Sequence, residues 1–354
     1  MHRRLDVSRP ELEDTVSRIL GRRVDSVHKL SGGHNSRVYS VTDGEGRQYV
    51  AKVYPSGGPN GRDRLDVEYG ALQFLRRHGV ECVPRTVGLD RDARSAIFEF
   101  VDGDSIPSPT VTTSDIDQAV DFLVCLASLR SAQDSVELPV ASEACFSVQE
   151  IIENIELRES KLLAVRGEDS LYSDFHDFLD LEFVPAFEKI ANWCRSRLES
   201  QGLSQDTKLE SEGRTLSPSD FGFHNALRSS DDRIVFLDFE YFGWDDPAKT
   251  ISDFLLHPGM DLDSTLKSRF WDGIVDGLSG FGNLSRRVEM VYPLWGLKWC
   301  MILLNEFVPD LMAIREFSSE AQQDGDSSRE RQLNKARRML AKVMDEYEKF
   351  PYGN

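Results

Sequence analysis

Asp220-Phe221-Gly222-Phe223-His224-Asn225 has the spacing D-x-x-x-x-N, and the apolar run Ile234-Val235-Phe236-Leu237 delivers Asp238 soon afterwards. Those residue types suit phosphoryl transfer. Such a reaction needs orientation and charge neutralisation more than covalent help, so one carboxylate to receive a hydroxyl proton and two oxygen ligands for Mg2+ form a sufficient core. Asp220 fits the first role. Asn225 and Asp238 fit the second, because Mg2+ prefers hard oxygen donors. Asp and Asn also fill turns and strand ends for conformational reasons alone, so this segment by itself leaves both readings open.

A second group of residues lies upstream. Lys52 sits in Tyr49-Val50-Ala51-Lys52-Val53-Tyr54, where Val50 and Tyr54 share its face of a strand, an unusual setting for a solvated lysine. Glu68 follows on a helix that lets the two charges pair. Ahead of both, Ser31, Gly32, Gly33 and Asn35 make a small-residue turn whose backbone N–H groups can approach phosphate, although Gly-Gly before Asn is also an ordinary hairpin turn.

The elements that must carry these residues are readable from pattern. Ser8, Pro10 and Glu11 predict a helix start, with the helix running to about Leu20. Residues 37–41 and 48–54 read as strands joined at Asp43-Gly44-Glu45-Gly46, residues 63–78 as a helix stopped by Gly79, and residues 96–101 as a further strand. Beyond Asp102-Gly103-Asp104 the chain turns helical, with helices expected near 114–129, 147–163 and 175–198. A β-rich island at 214–242 follows, then helices at 247–256, 286–307 and 329–347. The expected fold is α+β and bilobal: a small antiparallel-sheet lobe over residues 1–101 and a larger, mainly helical lobe over 102–354.

The bulk composition narrows the partners. With 42 Lys+Arg against 60 Asp+Glu, the 354-residue chain carries a net charge of −18. Nucleic acid and anionic membranes are therefore poor candidates. Residues 1–20 are broken by charges and hold no apolar signal core. The most apolar stretch, 291–304, is shorter than a bilayer span and contains Lys298, which predicts a buried helix. Five scattered cysteines without a C-x-x-C pair fit a reducing cytoplasm. Nothing in the chain sets an oligomeric state.

In order along the chain, the Gly-rich turn, strand lysine, helix glutamate, apolar hinge, D-x-x-x-x-N and Asp-bearing strand resemble the aminoglycoside phosphotransferase and choline kinase family of protein-kinase-like enzymes. The resemblance is most specific in Leu237-Asp238-Phe239-Glu240-Tyr241-Phe242-Gly243-Trp244-Asp245-Asp246-Pro247. It implies ATP and Mg2+ as cofactors, a small-molecule hydroxyl acceptor, Asp220 as base, Asn225 and Asp238 as metal ligands, and Lys52 with Glu68 at the nucleotide phosphates. It also implies a hinge at Glu99, Phe100 and Val101 whose backbone receives adenine. One departure stands out: Pro218 occupies the position two residues before Asp220 where most members have a histidine that braces the loop.

Several nearby residues have plainer expectations. His224 reads as a packed or exposed histidine, Asp246 as the cap of the helix opened by Pro247, and Phe239, Tyr241, Phe242 and Trp244 as core packing. Glu240 would share a face with Asp238 if the strand continues. A nucleotide-binding module without catalysis, or a nucleotidyl or protein-modifying transferase, is the rival reading.

Overall fold

The computed structural model describes residues 9–30, 36–55, 63–167, 169–308 and 325–353. Among these, five strands form one antiparallel sheet in the order β1-β2-β3-β5-β4: β1 Val24–Lys29, β2 Arg37–Asp43, β3 Gln48–Val53, β4 Thr86–Asp90 and β5 Ser95–Glu99. The turn between β2 and β3 is fixed by Asp43, whose buried carboxylate accepts from the backbone N–H of Glu45 and Arg47, both at 2.9 Å.

Both faces of this sheet are covered, which explains why β3 lacks a simple alternation of polar and apolar residues. On one face Val41, Ala51, Val53 and Ile97 pack with Leu12 and Val16 of α1 (Arg9–Leu20). The other face joins the main core through Tyr54, Ala96 and Phe98, against Leu65, Leu72 and Leu75 of α2 (Arg64–Arg77). Lys52 pairs in register with Ala96 and so belongs to the α2 side. Asp63 caps α2 by accepting from Leu65 N, and Gly79 follows its end.

The remainder is mainly helical. After the short β6 (Asp104–Ser105) come α3 (Thr113–Leu129), α4 (Val148–Leu163), α5 (Ser170–Asp177) and α6 (Val184–Ser200). The expected helix at 175–198 begins earlier, at Ser170, and passes through a π-turn at Phe178–Phe183 between α5 and α6. The β-rich island resolves into β7 (Thr215–Ser217), β8 (Ala226–Arg228), β9 (Ile234–Phe236) and β10 (Gly243–Asp245). Then follow α7 (Pro247–Leu256), α8 (Ser264–Gly277), α9 (Leu284–Leu303) and α10 (Gly325–Glu346).

As the apolar stretch predicts, α9 is a buried helix, packed against α4, α6, α7 and α10, with Lys298 almost wholly covered. No helix among the described residues is long and apolar enough to cross a membrane.

Candidate active site

The short strands exist to hold two loops. Strands β7 and β10 pair antiparallel, with Ser217 opposite Gly243, and the chain leaves β7 through Pro218 into Ser219, whose φ of 70° is left-handed. A non-glycine residue there costs on the order of 1–3 kcal/mol, so its surroundings must hold it. They do so densely. Ser219 N donates to Ser217 Oγ at 2.9 Å, and Ser217 Oγ meets Thr250 Oγ1 at 2.8 Å. Lys249 Nζ donates to both the carbonyl and Oγ of Ser219, at 3.3 and 3.1 Å.

Lys249 lies on α7 and is 1% exposed. Its charge is balanced by Asp245 at 3.0 Å and Asp253 at 3.4 Å, which outweigh the burial that would otherwise lower its pKa and hold it above the ordinary lysine value. Asp246 caps α7 as expected, accepting from Ala248 N at 2.9 Å, and pairs with Arg287.

Asp220 follows Ser219. One of its carboxylate oxygens accepts from His224 Nε2 at 3.0 Å, while Asn225 Nδ2 donates to the Asp220 carbonyl at 3.1 Å and closes the loop. Burial alone would raise the Asp220 carboxyl, but the hydrogen bond and charge of His224 hold it well below the usual carboxylate range. His224 is exposed and ring-stacked, in line with the expectation, and it is in addition bonded to Asp220. Its ring stacks on His257 with centroids 3.9 Å apart and 3° between planes. The ring also folds back over Gly222, where an added Cβ would stand 2.8 Å from His224 Nδ1 and 2.6 Å from Met260 Sδ. His257 is shielded from water, which depresses its pKa to about 3.

The second loop returns beside the first, since Leu237 N donates to the Asn225 carbonyl at 2.8 Å. Strand β9 stops at Phe236, and Asp238 itself adopts a left-handed φ of 62°. The strand does not continue to Glu240. That carboxylate nevertheless lies close by, buried, with Arg64 at 3.4 Å and Lys52 at 3.9 Å. Phe239 and Phe242 are core residues and Trp244 packs against the core as expected, its Nε1 donating to the Ser135 carbonyl, whereas Tyr241 lies beneath the Arg64 guanidinium.

Lys52 joins the sheet to this loop. Its Nζ donates to Glu68 Oε2 and to Asp238 Oδ1, both at 2.7 Å, and Tyr54 OH donates to the same Glu68 oxygen at 2.6 Å. Burial would lower the Lys52 pKa, but the carboxylates of Asp238, Glu68 and Glu240 raise it overall, and the ammonium stays charged. Burial pushes Glu68 up, and burial together with the neighbouring Asp238 pushes Glu240 up to about 7. Glu68, Asp238 and Glu240 each offer a carboxylate oxygen within 4.8 Å of the others. Three carboxylates face two cations here, a hard-oxygen donor set that fits Mg2+.

The structure therefore brings Lys52, Glu68 and Asp238 together, with Asp220 and Asn225 on the adjoining loop. Glu99 ends β5, its carboxylate accepting from Arg85 N at 3.2 Å, and Phe100 and Val101 follow as half-buried, non-strand residues. Ser31, Gly32, Gly33 and Asn35 lie outside the described residues. Sequence reasoning missed Lys249, His257 and Arg64. For Lys249 a signal existed: Asp245 and Asp253 stand at i−4 and i+4, the spacing that brings charges together on a helix, although Asp245 itself ends β10 just before α7.

Residues 26–282 match the phosphotransferase enzyme family, APH. The chain belongs to that family. Its fold is shared with a spectinomycin phosphotransferase solved with ADP and spectinomycin (12% identity, 97% of this chain and 99% of the other covered, TM-score 0.65). It is shared equally with the choline kinase of Streptococcus pneumoniae (16%, 94% and 98%, 0.58) and the ethanolamine kinase of Plasmodium vivax (15%, 96% and 86%, 0.58). A search of curated proteins finds no match. At these identities the solved structures establish a kinase-like, bilobal α+β fold, and the family match establishes phosphotransferase membership.

Proposed function

We propose that the protein moves the γ-phosphate of ATP to a hydroxyl group of a small molecule. The observation that carries this reading is the Lys52 bridge from Glu68 to Asp238, which ties the sheet to the loop after β9 beside Asp220. In this reading the lobes divide after Val101, adenine meets the backbone of residues 99–101, and the turn at 31–35 covers the phosphates. Lys52, steadied by Glu68, turns its ammonium to phosphate oxygen. Asn225 and Asp238 hold Mg2+, which when bound neutralises phosphate charge. Asp220 orients the acceptor hydroxyl and takes its proton on the carboxylate oxygen that His224 leaves free.

The acceptor pocket is placed between the Asp220 loop and helices α4, α6 and α9. Choline, ethanolamine, spectinomycin and gentamicin are the first acceptors to try, because the proteins sharing this fold are named for them or solved with them. The test is ADP release from Mg–ATP with each of these four and with simple sugars. Turnover with one acceptor, accompanied by a phosphorylated product, supports the proposal. ATP binding without turnover on any of them favours the noncatalytic module, and a heavier nucleotidyl adduct favours the other transferase chemistry.

A further inference from the structure

The family resemblance carries a bracing histidine two residues before the base, and this chain has Pro218 there. A left-handed Ser219 beside a partly exposed carboxylate would wander without some other restraint. The structure supplies one as a closed circuit of side chains. From Asp220 it runs to His224 (3.0 Å), then by ring stacking to His257, then to the edge of Trp299, whose ring centroid lies 4.6 Å from that of His257. Trp299 Nε1 donates to Asp253 at 2.9 Å, Asp253 pairs with Lys249 at 3.4 Å, and Lys249 returns to Ser219. The turn before the base and the side chain of the base are thus held by one circuit.

We propose that His224 is the positioning residue that fixes the Asp220 carboxylate plane, replacing the histidine missing at position 218. This rests on the phosphotransfer reading above. Of the two imidazoles beside the Asp220 carboxylate, His224 Nε2 is within hydrogen-bond distance at 3.0 Å and His257 stands 4.0 Å away; the Asn225 amide also lowers the Asp220 carboxyl, but less than His224 does. A fixed donor on one oxygen leaves the second aimed at the acceptor, and holding a reacting group in place is a large part of catalysis in this chemistry. The stack on His257 and the missing Cβ of Gly222 fix the His224 ring in turn.

A shared metal ion is the weaker alternative for these three side chains, although their ligand atoms lie within 4.8 Å of one another. The two rings are parallel to within 3°, so their in-plane lone pairs run side by side and do not converge on one ion.

The inference is tested with two variants and one spectroscopic measurement on the full chain. His224→Phe keeps the ring stack and removes the donor; His224→Gln places an amide N–H where Nε2 stood. Expected is a fall in kcat for His224→Phe of about 10- to 100-fold, with Mg–ATP affinity unchanged, and recovery of most of that loss in His224→Gln. ADP release from Mg–ATP with the acceptors named above is the readout. Long-range 1H–15N correlation should find Nε2 of His224 protonated and shifted by Asp220→Asn.

Undiminished kcat in His224→Phe overturns the inference, as does a loss in His224→Gln as large as in His224→Phe, because an N–H donor at that place then restores nothing. An unprotonated Nε2, or one that Asp220→Asn leaves unmoved, also overturns it. A wild type that shows the hydrogen bond by NMR yet turns over no acceptor overturns the phosphotransfer reading itself, and the inference with it.

Discussion

Lys52 and Asp238, 186 residues apart in sequence, share a 2.7 Å hydrogen bond that closes the small sheet onto the loop after β9. Lys52 is nearly buried, and its charge is compensated mainly by Asp238 and Glu68, with Glu240 farther off at 3.9 Å. Breaking a buried pair strands a charge, which costs about 3–5 kcal/mol. Lys52→Met is therefore expected to lower the urea midpoint by several tenths of the wild-type value, and the added change Glu68→Gln to recover part of the loss. A single variant as stable as wild type would show that the bridge contributes nothing.

The parts of this site that sequence reveals are those set by local spacing. Lys52 on a strand, Glu68 on the next helix, the D-x-x-x-x-N segment and the Asp246 cap each depend on residues a few positions away. What stays hidden depends on contacts made by folding. That Lys249 supports the Ser219 turn shows only once α7 is packed beneath the loop, and His224 meets His257 only because the loop folds back over Gly222. Strand β4 escapes notice because Gly88 interrupts it; α1 presses so close that an added Cβ would stand 2.5 Å from Ile19 Cγ2. Helix α8 is masked by its scattered polar residues, its buried positions being Leu266, Phe270, Trp271 and Ile274.

Asp238→Ala tests the metal assignment. Removing the proposed charged ligand is expected to abolish Mg2+-dependent ADP release across a magnesium titration, while leaving a folded protein by circular dichroism. Wild-type turnover at any magnesium concentration in that variant would place the cation elsewhere, with Glu68 and Glu240 the remaining carboxylates of the cluster.

His257 gives a pH signature of stability. Its pKa is depressed by burial to about 3, below the value of 6.5 that it has when exposed. The unfolded chain therefore binds the proton more readily, and this contribution is complete above pH 6.5 and lost as the pH falls toward 3. The slope from this one group approaches about 1.4 kcal/mol per pH unit within that window. Denaturation measured across pH 3–7 should show a shallower dependence in His257→Phe than in wild type. Identical slopes would mean that His257 titrates normally in the folded state.

Asp220→Asn decides most directly whether this chain is a phosphotransferase that works through the Asp220 loop. General-base assistance is typically worth about 10²- to 10⁴-fold, so kcat should fall by at least that order with the acceptor that turns over best. Calorimetry on the same variant should find Mg–ATP affinity close to wild type, because the nucleotide is assigned to Lys52, Asn225 and Asp238. Loss of turnover with retained nucleotide binding is the predicted result; a variant that turns over at the wild-type rate would contradict it.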